Sequence, residues 1–471
     1  MAIFYKEGEA KIRPGVYQRH TNIGFIKPAA ATDGICAIPI QAAWGPLGKV
    51  LKNVSEADLR NNYGSGTYGA GFTVPAASAM FEGGASTVYT YRLGTGGKQA
   101  SLTLGDGVTV TAKYPGTMPI SVAVQAKLGN AAKKQFLVYV GTTQVETWEF
   151  DADTKAETAN LAAATAKSKY VTVSGTAATV AALAVASGAL TGGEDPKVTN
   201  EDYSKAFAAL EPFYYNTIAL DVADDESMTL SLLLQEYLDA AYLLGKLGIA
   251  VVGEPTSVEF ETRLAHAQEF NDAKVVYLGS GYMEGTAVKD GVLAICYTAG
   301  VIASTPSNQG ITHKTIDSAT DLCETRTYAE YEAAISAGML MMSMSTDGNV
   351  WYDTGINTLT NPEISDLDDG WKKIRRTKTR MEMIYRIDRV LNPKVGRVSA
   401  DTDGIADIIQ TAQSVLNAMV KEGKLLSGAT FMEDPENPHA GDSAHFIIQS
   451  DDIDSLEKIY LQYQFRYSQN S

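Results

Sequence analysis

The side chains able to do chemistry in this 471-residue chain are few and scattered. The five histidines, His20, His266, His313, His439 and His445, form no HExxH pair. With the three cysteines, Cys36, Cys296 and Cys323, they give no metal-clip spacing, and no GxSxG turn presents a nucleophile. Gly64-Ser65-Gly66-Thr67-Tyr68-Gly69 has the lettering of a dinucleotide loop, but it follows a polar stretch instead of a strand. Pro75 also blocks the helix whose N-terminus would take the pyrophosphate. Gly97-Lys98 lacks both the upstream glycine and the following Ser or Thr of a P-loop. Asp366, Asp368 and Asp369, or Asp401 and Asp403, could pair as general acid and base or bind calcium, yet neither group has EF-hand spacing, and turn and helix-cap roles suit both better. No residue is assigned as catalytic, cofactor-binding or metal-ligating.

A composition of 45% hydrophobic and 20% charged residues is that of a folded chain, and the length suits about three domains. The net charge of −16 opposes general nucleic-acid binding. Three cysteines without a bridge pattern suit synthesis in a reducing cytoplasm. Lys6, Glu7, Glu9, Lys11 and Arg13 interrupt any signal-peptide core, and no apolar run is long enough to insert in a membrane. The charge is polarised. Trp371 to Arg397 holds ten basic residues against Glu382 and Asp388, whereas Leu425 to Glu457 holds eight acidic residues and no basic one. Such polarity suits self-association, an acidic partner, or pairing of the two stretches with each other.

The fold signal is strongest over 195–305. Phe213–Asp221, Gly248–Gly253 and Lys274–Leu278 read as buried strands, alternating with helices over Glu226–Leu247, Ser257–Phe270 and Gly285–Val301. This predicts an α/β core with a parallel sheet, joined by strands at Cys36–Ile40 and Thr87–Leu93. Between GTGGK at 94–98 and TGGED at 191–195 the composition shifts to Ala, Thr, Val and Gly. Strands are expected there at Ser101–Lys113, Ile120–Lys127, Gln135–Val140, Gln144–Phe150 and Tyr170–Val173, with a helix at Thr154–Lys167. The chain is thus read as multidomain: an N-terminal arm at 1–20, an α/β core from 21–93 and 195–354, a β-rich insert at 94–194, and an α+β C-terminal domain at 355–471 with extended terminal arms. Leu456 to Tyr467 alternates with period two and has no adjacent partner beyond His445–Gln449, so it must pair with something distant or with another chain.

Several segments, in order, resemble the tail sheath proteins of contractile phage tails and phage-tail-like particles. Arg13-Pro14-Gly15-Val16-Tyr17 is similar to the family's PGVY signature, and Phe81-Glu82-Gly83-Gly84-Ala85 through Val88-Tyr89 to Arg92-Leu93 to its FxxGG…VY…R motif. Ala112-Lys113-Tyr114-Pro115-Gly116-Thr117 resembles the opening of its insert, although Met118-Pro119-Ile120 replaces the usual continuation. Ala303-Ser304-Thr305-Pro306, Gly355-Ile356-Asn357-Thr358-Leu359-Thr360, Lys373 to Arg376, and Asp451 to Tyr460 come after it in the same order.

The resemblance implies a non-enzymatic structural subunit of a virion tail or related particle: hexameric rings stacked helically around an inner tube protein, meeting baseplate and tail terminator proteins, and contracting to drive the tube through a cell envelope. It implies no cofactor, no nucleic acid and no membrane insertion. On this reading Val16, Tyr17 and Gln18 at one end, and Ile459, Leu461, Tyr463, Phe465 and Tyr467 at the other, add strands to sheets of neighbouring subunits. Lys372, Lys373, Arg375, Arg376, Lys378, Arg380 and Arg386 form a basic segment that faces the tube or pairs with the acidic tail. Two rival readings are an α/β enzyme with a small ligand at the strand ends near Asp221, Gly253 and Gly279, and a surface-layer-like polymer.

Overall fold

The computed structural model describes residues 3–4, 17–18, 33–64, 72–104, 107–180, 188–222, 228–365 and 367–466. Its centre is a seven-stranded sheet of β1 (Ile35–Ile40), β2 (Val50–Asn53), β3 (Thr87–Arg92), β4 (Thr217–Ala219), β5 (Ile249–Gly253), β6 (Val275–Leu278) and β7 (Met339–Leu340). The spatial order is β7-β6-β5-β4-β1-β3-β2, parallel throughout except for β2 against β3. The apolar runs in the sequence have a simple cause, because both faces of these strands are covered. Cys36, Ile38, Ile249, Val251 and Val276 enter one core with α1 (Val74–Glu82) and α5 (Val292–Ser304). Ala37, Ile218, Ala250, Val252 and Val275 enter the other with α2 (Asn200–Leu210), α3 (Thr229–Leu243) and α4 (Phe260–Phe270).

The third helix of the core begins later than the sequence pattern suggests. Residues 285–291 are spent on an antiparallel pair, Tyr282–Glu284 with Ala287–Lys289, before α5 starts at Val292. Between the core segments, a four-stranded and a three-stranded sheet enclose a third apolar core around Val110, Val122, Phe136 and Leu161. Ser101–Lys113 is two strands there, Ser101–Leu104 and Val108–Ala112, folded back as a hairpin.

After the core come α6 (Ile374–Leu391) and α7 (Thr402–Lys421), then a two-stranded antiparallel sheet of β8 (Thr430–Glu433) and β9 (Phe446–Gln449). α7 packs on the second half of α6 and on β8 through Ile387, Val415, Leu416, Met419 and Phe431. The first half of α6 belongs to the main core through Ile374 and Met381. One amphipathic helix therefore carries two packing surfaces and joins the bodies on either side.

Candidate functional site

The ends of β4, β5 and β6, where a doubly covered sheet would bind a ligand, are filled by the chain itself. Asp221 is fully buried and accepts hydrogen bonds from Tyr203 Oη (2.6 Å) and Thr73 Oγ1 (2.6 Å). The buried Glu254 accepts from the Tyr277 hydroxyl and contacts His266 Nδ1 at 2.8 Å. A Cβ on Gly253 would stand 2.2 Å from Leu278 O, and one on Gly279 2.2 Å from Met339 Sδ, so the chain packs tightly against both glycines. Gly64 caps the C-terminus of the helix Glu56–Tyr63, the wrong end for a phosphate, and residues 65–69 of that motif lie outside the described residues. Asp368 and Asp401 cap helices, accepting from the amides of Gly370 and Gly404; Asp366 is outside the described residues. Among the described residues no group of His, Cys, Asp and Glu is placed to hold a metal, and no helix is long and apolar enough to cross a membrane.

Burial pushes the Asp221 carboxyl up from an ordinary 3.8 to about 6, against the opposing hydrogen bonds from Thr73 and Tyr203. Between those values the folded chain holds a proton that the unfolded chain has lost, so this group's contribution to stability falls as pH rises through the window and its cost is complete above it. Asp221→Asn is expected to remove that slope. Urea denaturation of both proteins at pH 4 and pH 7 should show the native chain losing on the order of 2 kcal/mol relative to the variant. Parallel pH profiles would contradict the assignment.

The basic stretch faces inward and toward the acidic tail. Lys378 is buried, and its ammonium donates to the carbonyls of Ile302, Ala303 and Thr305 at the C-terminal end of α5. Burial pushes it down to about 8, with Asp33 and Glu382 working the other way. Arg386 is buried against Glu382 and Glu422 (2.8 Å), and Lys424 reaches Glu382 at 2.6 Å. Lys373 pairs with Asp454 (2.8 Å) and Glu457 (2.9 Å), and Arg375 donates to Ser455 Oγ (2.8 Å). Arg376 and Arg380 both reach Asp452 Oδ1 at 3.0 Å, and Arg380 also binds Asp368. Burial alone would raise the Asp452 carboxyl, yet the two guanidinium groups hold it below the ordinary range. Lys372 pairs locally with Asp369. Within the chain, Lys373, Arg376 and Arg380 pair with the acidic tail, whereas Lys378 and Arg386 are held by other groups of the body.

Beyond those ion pairs the chain leaves the body. Residues 453–466 enter no strand, and Leu456, Ile459, Tyr460, Leu461, Tyr463 and Phe465 are 71–93% exposed. Tyr467 lies outside the described residues. At the other end, Tyr17–Gln18 pairs in parallel with Ile3–Phe4, and Val16 lies outside the described residues. β8 and β9 pair only with each other among the described residues, leaving two open edges, with Met432 and Ile448 each more than a third exposed. The central sheet is covered on both faces, and among the described residues the period-two segment and the edges of the two-stranded sheet stand exposed.

Residues 196–358 match the family model of the phage tail sheath protein central domain. The chain is 27% identical over 387 residues to the uncharacterized protein YqbK of Bacillus subtilis, covering 76% of this chain and 75% of that one. It is 24% identical over 385 residues to the phage-like element PBSX protein XkdK of the same organism, covering 75% and 74%. The crystal structure of the sheath tail protein from Desulfitobacterium hafniense has the same fold, with a TM-score of 0.71 at 22% identity over 93% of this chain and 100% of that one. The helical sheath of the anti-feeding prophage in its contracted state gives 0.53 at 12% identity, over 97% and 99%. The chain thus carries a match to the central domain of phage tail sheath proteins over 196–358 and shares the fold of contractile sheath proteins over nearly its whole length.

Three features of the geometry had no counterpart in the sequence reading: the pairing of Glu382 with Lys424, the burial of Lys378, and the buried Arg92. The acid and base of the first lie 42 residues apart and share no local motif. Arg92 closes the FxxGG…VY…R motif, but nothing in that motif says what its side chain does.

Proposed function

We propose that the chain polymerises as stacked hexameric rings around an inner tube and contracts to drive that tube through a cell envelope. The observation that carries this is the C-terminal segment 456–466: it has the alternation of a strand, its apolar side chains are exposed, and it has no ladder partner among the described residues. The open edges of β8 and β9 offer such a partner in a second copy, since backbone hydrogen bonds give strength without a shaped pocket. Because donor and acceptor are different surfaces of one chain, the contact is heterologous and propagates a filament or closes a ring. Contraction is then a rearrangement of nearly rigid bodies whose arms keep them connected, and the stored free energy belongs to the lattice. An acidic inner tube that met the basic stretch would find Arg389 and Arg397, which are exposed, and the half-buried Lys372.

Negative-stain microscopy of the purified full chain tests this. Striated sleeves or rings are expected. Flat lattices would favour a surface-layer polymer, and discrete particles with substrate turnover an enzyme; either would overturn the proposal.

A further inference from the structure

The basic helix α6 has a role that the strand-donation reading alone does not supply. Building on that reading, we infer that the charged face of α6 is a clasp for the chain's own C-terminal arm, fixing where the arm leaves the body and passing a neighbour's pull into the core. Four acidic or polar residues of the arm's root are held by side chains at the N-terminal end of α6, three of the four by cations on one side of it. Asp452 lies on Arg376 and Arg380, Asp454 and Glu457 on Lys373, and Ser455 on Arg375. The spacing 373, 376, 380 places these cations on one side of the helix, and the arm root runs along it. Thr312, from the core, adds a hydrogen bond to Glu457 Oε1 at 2.9 Å.

The backbone repeats the attachment. Leu426 N donates to Asp451 O (2.8 Å) and Ile453 N to Lys424 O (3.0 Å), so the root is stitched to the turn after α7 as well. Leu456, in the same stretch, leaves 82% of its surface exposed. The free arm thus begins at Lys458, and nine residues to Arg466 reach at most about 30 Å. Were the clasp open, the chain would be free from the end of β9 at Gln449, nearly doubling the tether and lowering the effective concentration of the strand at its acceptor.

The clasp also has a rigid backing. α6 is tied to α5 by the Lys378 ammonium, which sits where the α5 carbonyls end and the helix dipole is negative. Thr379 Oγ1 donates to Ser307 O, and Ser307 Oγ donates to Glu382. A pull on the arm therefore passes through ion pairs to α6, and from α6 to the central sheet, without crossing a flexible loop.

The test uses the full chain, with hydrogen exchange at the Ile453 amide and sleeve yield by sedimentation as separate readouts. Arg376→Glu with Arg380→Glu is expected to speed exchange at Ile453 roughly tenfold or more, leave β5 and β6 amides unchanged, and lower sleeve yield. Adding Asp452→Arg should restore both. The milder Asp452→Asn, which introduces no like-charge repulsion, is expected to move both readouts in the same direction by less. Normal assembly with a fast-exchanging root would overturn the clasp. So would failed assembly with Ile453 still protected, which would move these charges to another interface such as the tube. Strand donation itself is judged separately, by truncating the arm beyond the clasp.

Discussion

Ending the chain after Lys458 is expected to leave the body folded and to abolish polymerisation. The residues removed, 459–466 among those described, are 71–93% exposed at their apolar positions, and their one ring contact, Tyr463 with Phe465, is within the segment itself. Losing surface of this kind changes stability by less than about 0.5 kcal/mol, so the thermal midpoint of the truncated chain should match the native one. The clasp contacts at Asp452, Asp454, Ser455 and Glu457 all survive. Assembly has the opposite sensitivity, because the missing backbone is the donor of the intersubunit ladder. A graded version keeps the length: replacing Ile459, Leu461, Tyr463 and Phe465 by serine preserves the backbone hydrogen bonds but removes one apolar face, and should weaken assembly without eliminating it. Sedimentation and microscopy at matched protein concentration measure both. Native sleeves from the truncated chain would refute strand donation by this arm.

The range of each interaction decides whether it could be read from the sequence. The strands Ile249–Gly253 and Val275–Leu278 were legible because burial on both faces forces an unbroken apolar run, which is local information. The start of α5 was not, because Gly285 turns a hairpin inside a stretch whose overall apolarity resembles more helix. The C-terminal segment announced itself by strict alternation and by lacking a neighbour. Its acceptor did not, since an open edge is a property of the finished sheet. The basic stretch was visible as charge, but its partners in the acidic tail are 72 to 84 residues away: Arg380 finds Asp452 and Lys373 finds Glu457 only once α7 has folded back. A charge run shows that partners are needed without saying where they stand. Lys378 carries the same lesson further, because a lysine with three carbonyl acceptors is indistinguishable in sequence from one in water.

Arg92→Met is expected to cost about 3–5 kcal/mol and to loosen the junction between the core and the sheets that follow it. Arg92 ends β3, is 0% exposed, and spends its guanidinium on three backbone carbonyls: Nε to Ala42 O (2.9 Å), Nη1 to Gly45 O (2.6 Å) and Nη2 to Pro115 O (2.9 Å). Two acceptors belong to the loop after β1 and one to the segment inserted between the core strands, so a single side chain fastens both. The packing there allows no substitute: a Cβ on Gly116 would lie 1.9 Å from Ala43 O. Burial pushes the guanidinium down to about 10, which leaves it charged at neutral pH and able to donate to all three acceptors. Methionine fills similar volume but strands three acceptors out of water, each costing about 1–3 kcal/mol before water enters. Arg92→Lys keeps the charge but not the planar fork, so it should recover only part of the loss. Chemical denaturation gives the magnitude. Because the inserted sheets have their own core around Phe136 and Leu161, the damage should appear as faster proteolysis at the connections near 94–99 and 191–195 while those sheets stay folded. A methionine variant within about 1 kcal/mol of the native chain would show that the three carbonyls find other donors, and that this arginine is not what joins the two bodies.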